Sequence, residues 1–290
     1  MTTLAYHAPQ TVDEAVRVLA GGNGGAKPLA GGSDLLVQLR SGRTRPAMIV
    51  DLKRIPALMG IRTEGNAFVI GAATPCAVIG EHAALRAAWP GVVEAACLIG
   101  STQVQGRATL AGNLCNASPA ADSVPALLAA RATCVVVGTQ GRREVPVETI
   151  PTGPGQTSLR PGEFIVEFRL PGRPPRAADA YLRFIPRTEM DIAVVGAAVN
   201  LTLDAQRVCT EAVVALGAVA PTVIPVPEAS AALVGTHMDA AVLERLDDAC
   251  RRAARPISDK RGTIAFRTTL AGVLARRAAT IARHRAEVRA

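Results

Sequence analysis

The stretch Thr109-Leu-Ala-Gly-Asn-Leu-Cys-Asn-Ala-Ser-Pro-Ala-Ala-Asp-Ser-Val-Pro-Ala-Leu-Leu128 holds no Lys, Arg or His, and Asp122 is its only charged residue. Small residues let a ligand approach the backbone closely. The Thr, Asn and Ser side chains and the amides concentrate hydrogen-bonding groups in a short space. That chemistry suits a phosphorylated cofactor, and the spacing predicts a wrapping loop that feeds a helix starting at Asp122–Pro125, with Pro125 in its first turn. The plainer alternative is a tight loop packed on a core. A second candidate lies upstream, in Lys27-Pro-Leu-Ala-Gly-Gly-Ser-Asp-Leu-Leu-Val-Gln-Leu-Arg40. It reads as a short strand, a Gly-Gly turn and a helix capped by Ser33 or Asp34, with free amides aimed at an anion. The Asp34 charge suits a helix end but repels an anion, so it is expected to point away from the ligand.

Other chemistries lack their residues. Neither Gly-x-Gly-x-x-Gly nor a phosphate loop ending in Gly-Lys-Ser/Thr marks these turns, which argues against Rossmann dinucleotide and nucleoside-triphosphatase readings. The six cysteines form no Cys-x-x-Cys pair, so neither a zinc ribbon nor a ferredoxin-type cluster is signalled. They read as buried thiols of a reducing compartment. A net charge of +8 invites a nucleic-acid reading. Only three lysines are present, the arginines are scattered and aromatics make up 3%, so no basic stripe or stacking platform supports it. Docking of acidic partner subunits fits the charge better. The longest uncharged apolar run, Ala212 to Pro227, is broken by Pro221 and Pro225 and reads as no membrane span. With no basic-then-apolar leader at the N-terminus, a cytoplasmic protein is expected.

The elements that would hold these stretches can be read in order. Thr11 and Glu14 form a capping box for a helix over 12–19, ended by Gly21-Gly-Asn-Gly-Gly25. Residues 47–52 read as a buried strand, 60–64 and 67–71 as a hairpin, and 75–88 and 91–99 as helices meeting at Trp89, a packing anchor. Strands are expected at 134–139 and 163–170. Pro171-Gly-Arg-Pro-Pro175 is the linker candidate. Beyond it, strands at 180–187, 192–203 and 207–218 are followed by helices over 240–254 and 264–285. The arginines of the last helix read as a solvated face, or as a docking surface.

Two phosphate-turn candidates about eighty residues apart suggest one large ligand held between two lobes. Here the chain resembles a known family. Leu29-Ala-Gly-Gly-Ser-Asp-Leu-Leu36, Val50-Asp-Leu-Lys-Arg-Ile-Pro56, Ile99-Gly-Ser-Thr-Gln-Val104, Thr109-Leu-Ala-Gly-Asn113 and Asn116-Ala-Ser-Pro-Ala-Ala-Asp122 are similar to motifs of the FAD-binding medium subunits of molybdenum hydroxylases, the xanthine dehydrogenase and carbon monoxide dehydrogenase family. Arg187-Thr-Glu-Met-Asp-Ile-Ala193 and Pro256-Ile-Ser-Asp-Lys-Arg261 extend the resemblance over essentially the whole chain. It implies an α+β protein: a two-lobed FAD-binding fold of the vanillyl-alcohol oxidase/p-cresol methylhydroxylase type over residues 1–176, with lobes at about 1–56 and 57–176, and a C-terminal α+β domain over 177–290.

By position, the resemblance assigns cofactor binding to Leu29, Ala30, Gly31, Gly32, Ser33, Asp34 and Leu35, and to Thr109, Leu110, Ala111, Gly112 and Asn113. Ile99, Asp122, Ile165 and Arg183 complete the set, with no catalytic residue and no metal ligand on the chain. Two positions depart from the family: Ala111 replaces a common glycine, and Arg183 a common lysine, which a planar guanidinium does not duplicate. The implied function is electron transfer. A large molybdenum-cofactor subunit oxidises the substrate, two [2Fe–2S] clusters on a small subunit carry the electrons, and FAD here passes them to an external acceptor. The implied assembly is a dimer of heterotrimers. The rival readings are a self-sufficient FAD oxidoreductase acting on a small organic substrate, and a scaffold that has lost FAD.

Overall fold

The computed structural model describes residues 4–289. Chain order begins with β1 (Ala5–His7), α1 (Val12–Gly21), β2 (Ala26–Leu29), α2 (Leu35–Arg40) and β3 (Met48–Asp51). The strands form a parallel sheet in the order β1-β3-β2. The cap half of the box is present, Thr11 Oγ1 accepting from Glu14 N at 3.2 Å, but the Glu14 carboxylate accepts from Gln10 N at 2.8 Å, one residue before the cap, rather than from Thr11 N.

The second lobe opens with the hairpin β4 (Ile61–Glu64) and β5 (Ala67–Gly71), as expected. Six short helices follow: α3 (Cys76–Glu81), α4 (Ala83–Ala88), α5 (Pro90–Ala96), α6 (Thr102–Gln105), α7 (Leu110–Cys115) and α8 (Ser123–Ala129). Then come β6 (Thr133–Gly138), β7 (Gly141–Pro146), the small pair β8 (Pro151–Gly153) and β9 (Gln156–Thr157), and β10 (Phe164–Leu170). The main sheet is antiparallel, in the order β4-β5-β10-β6-β7. Alternation along its strands divides two cores. Val135, Val137, Phe164 and Val166 face the first lobe and pack with Ala15, Leu19 and Val50. Cys134, Val136, Ile165 and Phe168 face the helices and pack with Val92, Leu110, Leu114 and Leu127.

The remaining chain forms β11 (Ala177–Phe184), β12 (Val195–Leu203), β13 (Cys209–Gly217), β14 (Ile224–Pro225), α9 (Pro227–Leu233), α10 (Ala240–Ala253) and α11 (Ile264–Glu287). The four strands pair antiparallel in sequence order. One face carries Ala197, Val199 and Leu201 against α10 and α11, while Tyr181, Ala198 and Ala215 on the other join the core of the helical lobe. The sheet is thus a shared wall between the helical lobe and the last two helices.

Several expectations need correction. The helix expected over 75–88 breaks at His82, whose ψ is 96° and whose Nδ1 accepts from Leu85 N to cap the next helix. The strands expected at 180–187 and 192–203 end at Phe184 and resume at Val195, leaving the Arg187–Ala193 motif in the connection. The wrapping loop expected from Thr109 is a helix, α7, despite the low helix propensity of Gly112 and Asn113. Burial of Leu110, Ala111 and Leu114 and a Thr109 cap outweigh that propensity.

Candidate functional site: a cleft between the lobes

A cleft of about 400 Å³ opens between the lobes. Its first wall is the turn joining β2 to α2. Gly31 is required there by close approach, because a Cβ would lie 2.0 Å from the Arg107 carbonyl oxygen. Gly32 is required by its φ of +83°. Neither Ser33 nor Asp34 caps α2: Asp34 occupies the cap position with helical backbone angles and makes no cap bond. The expected cap is therefore absent, since a residue already in the helical region does not turn its carboxylate back onto the amides. The amides of Gly31, Gly32, Ser33 and Asp34 donate to no protein group among the described residues. Asp34 does not stand apart from the cleft but lines it, and burial raises its pKa.

The second wall is the start of α7. Thr109 Oγ1 accepts from Gly112 N at 3.0 Å, so the Gly112 amide is taken by the cap. The amide of Ala111 precedes the first intrahelical bond and stays open, whereas Leu110 follows the antiparallel bridge between Thr109 and Pro75 and lies outside the cleft. Ala111 lies within the helix and outside the positive-φ set, so its Cβ fits without strain. Gln38 Nε2 donates to Asn116 Oδ1 at 2.9 Å and ties the two walls together.

Of the residues singled out in the sequence, Ala30, Gly31, Gly32, Ser33, Asp34, Leu35, Thr109, Ala111, Gly112 and Ile165 line this cleft. The others sit elsewhere. Leu29 and Leu110 are buried packing residues. Asn113 Oδ1 accepts from Ser123 N at 3.1 Å and Ser123 Oγ at 2.7 Å, anchoring α8. Ile99 is buried beside Leu98 in the helical core. Asp122 Oδ1 accepts from Tyr181 Oη at 2.9 Å, and its Oδ2 from Arg183 Nη1 at 2.6 Å. Arg183 also donates to the Leu98 carbonyl at 2.9 Å, and its Nε is buried without a partner among the described residues. Burial pushes Asp122 up to about 6, against the opposing pull of Arg183 and Tyr181. The two C-terminal motifs meet each other: Asp191 pairs with Arg187 at 3.3 Å and with Arg261 at 3.4 Å.

Sequence reasoning missed a third wall, which includes Leu159, Arg160, Pro161, Gly162 and Phe164. The Arg160-Pro-Gly162 turn lies outside every stretch singled out in the sequence. Lys27, Gln38 and Asn116 also line the cleft, though they lay within quoted stretches. The open amides of two helix starts and the close approach at Gly31 fit the diphosphate of a dinucleotide cofactor.

Residues 2–173 match the family model described as the FAD binding domain in molybdopterin dehydrogenase, and residues 180–282 match the CO dehydrogenase flavoprotein C-terminal domain. The chain belongs to the family of FAD-binding subunits of the molybdenum hydroxylases, and its cofactor is FAD. It is 35% identical over 283 residues to the carbon monoxide dehydrogenase medium chain of Afipia carboxidovorans, covering 97% of each chain. It is 32% identical to a putative xanthine dehydrogenase FAD-binding subunit of Escherichia coli K12, covering 92% of this chain and 91% of that one. Among solved structures, Cu,Mo-CO dehydrogenase in its cyanide-inactivated form matches with a TM-score of 0.93 at 33% identity over 98% of this chain and 99% of that one. Quinoline 2-oxidoreductase from Pseudomonas putida 86 matches with a TM-score of 0.90 at 26% identity over 98% of each.

Proposed function

We propose that this chain is the electron-relay subunit of a molybdenum hydroxylase, holding FAD between its lobes. Electrons arrive from [2Fe–2S] clusters on a small partner subunit, after substrate oxidation on a large molybdenum subunit, and leave to an external acceptor. The observation that carries the reading is the pairing of open amides at Gly31–Asp34 with the start of α7 across one cleft. Bound flavin supplies exchange between one- and two-electron chemistry. The chain's own work is to bind and orient: the glycine turn and the Ala111 amide take the diphosphate, Ile165 packs along the cofactor, and Asp34 is available to accept from cofactor hydroxyls.

In this reading Leu29, Leu110 and Asn113 act by holding the two turns in place. Ile99, Asp122 and Arg183 form a buried group where the C-terminal sheet meets the helical lobe, and the proposal assigns them to the flavin end. The division into a FAD-binding domain over 1–176 and a C-terminal domain over 177–290 is part of the proposal, as are assembly into a dimer of heterotrimers and a cytoplasmic location. No helix among the described residues is long and apolar enough to cross a membrane. None of them forms a cluster of three or more His, Cys, Asp or Glu fit to hold a metal.

The test is reduction of the assembled complex with its organic substrate. Bleaching of the flavin band after the iron–sulfur bands, and only when the partner subunits are present, is the expected result. Substrate-dependent bleaching in this chain alone would instead support a self-sufficient oxidoreductase.

A further inference from the structure

We infer that Arg160, seconded by Lys27, is a cofactor-binding residue that pairs with the diphosphate of FAD in the cleft it shares with the glycine turn. This rests on the FAD reading above and adds the counter-charge that the open amides do not supply.

Arg160-Pro-Gly-Glu163 is a tight turn with Pro161 and Gly162 as its central residues, Gly162 at a φ of +83°. Glu163 N donates to the Arg160 carbonyl at 2.9 Å, and this combination has the signature of a type II turn. The Glu163 carboxylate fixes the turn a second time: it accepts from Arg160 N at 2.8 Å and from Arg143 Nη2 at 2.7 Å. The Glu163 charge is therefore already answered by Arg143. The turn leans on the first lobe, since a Cβ on Gly162 would lie 3.4 Å from Ala20 Cα. It thus closes one side of the cleft.

The charges facing the cleft complete the case. Lys27 and Arg160 are its only lysine or arginine lining residues, and neither side chain has a hydrogen bond or ion pair among the described residues. The lining carboxylates are Glu163, paired with Arg143, and Asp34, exposed and without a cation of its own among the described residues. A diphosphate entering beside Asp34 meets repulsion that dipoles of open amides only partly offset. Two unpaired cations on the same cleft reverse that balance. Arg160 is the better placed because a guanidinium donates in a fork to phosphate oxygens, and because its backbone is locked by two bonds.

The experiment titrates the assembled complex, stripped of flavin, with FAD, with ADP as competitor and with riboflavin as a phosphate-free control. Arg160→Gln is expected to weaken FAD binding about tenfold, and Arg160→Gln with Lys27→Gln further. Both should flatten the salt dependence and weaken ADP competition, while riboflavin binding is unchanged. Arg160→Lys should restore most of the affinity. FAD affinity within twofold of wild type in the double variant, or equal losses for FAD and riboflavin, would overturn the assignment. A wild-type complex that takes up no FAD would instead defeat the functional reading itself.

Discussion

The Arg173 guanidinium lies 3.8 Å above the ring of Trp89, inside the junction between the helical lobe and the C-terminal sheet. Arg173 also donates to Asp179 Oδ1 at 2.8 Å, and to Asn200 and the Ala88 carbonyl. The Asp179 Oδ2 accepts from Val92 N at 3.1 Å, so one carboxylate joins the linker arginine to the start of α5. Arg173 belongs to the Pro171–Pro175 segment, which reads in sequence as a mere connection. Its side chain is 8% exposed, and burial pulls its pKa below the ordinary value despite Asp179. The segment is therefore a clasp between two cores.

Arg173→Ala removes the stacking contact and leaves Asp179 buried without its cation. Stacking of a desolvated cation contributes up to about 2 kcal/mol, and breaking a buried pair by removing one partner costs about 3–5 kcal/mol. The expected loss is about 3–5 kcal/mol in urea unfolding, with Arg173→Lys losing less. Trp89, the only tryptophan, makes its own fluorescence the measurement. A midpoint shift below that of an ordinary surface substitution would contradict the clasp.

Gly31 and Gly32 fail in different ways when replaced. At Gly31 an added Cβ meets the Arg107 carbonyl at 2.0 Å, so the whole turn must move off the second lobe. At Gly32 the cost is the left-handed backbone, about 1–2 kcal/mol, while the nearest neighbour is the flexible end of Leu29 at 3.0 Å. Gly31→Ala is expected to empty the purified complex of most of its flavin, and Gly32→Ala to lower flavin content less. Absorbance of flavin per protein after gel filtration distinguishes them. Equal and undiminished content in both would remove the turn from the cofactor site.

Thr109 serves α7 through its hydroxyl, which accepts from Gly112 N. Thr109→Val keeps the shape and loses the cap, at a cost of about 1 kcal/mol. It also frees the Gly112 amide and loosens the helix start that faces the cleft. Thr109→Ser should retain the stability. Thermal unfolding of the two variants side by side is the check, and a Val variant as stable as the Ser variant would mean that packing alone holds α7.

The sheets were legible because their strands carry continuous apolar runs between turn signals, and each core strand was placed within a few residues. The paired Gly-Gly and Thr109 turns were legible because glycine and capping residues carry backbone information locally. What stayed hidden depended on distant partners. Residues 110–115 read as loop because the burial that makes them helical comes from α8 and the β6–β10 sheet face, which no local pattern shows. Arg160 gave no signal because its position depends on Glu163, just before β10, being held by Arg143 on β7, two strands away across β6. Asp122 drew notice as the lone charge of its stretch, yet its partners Tyr181 and Arg183 lie about sixty residues away, on the first strand of the C-terminal sheet.

That buried Asp122 gives the pH prediction. Burial raises its folded pKa to about 6, from 3.8 for a free side chain. Between those values the folded chain binds more protons than the unfolded chain at this site. The group's contribution to stability is therefore full below pH 3.8 and is lost as the pH rises through about 6. Asparagine at this position does not titrate. The stability deficit of Asp122→Asn relative to wild type should accordingly shrink between pH 4 and pH 7, by on the order of 1–3 kcal/mol. Urea unfolding of both proteins across that range, followed by Trp89 fluorescence, measures the difference directly. A deficit that stays constant or grows with pH would show that Arg183 and Tyr181, rather than burial, govern the carboxyl group, and that it is ionised throughout the range in which the folded chain was expected to keep its proton.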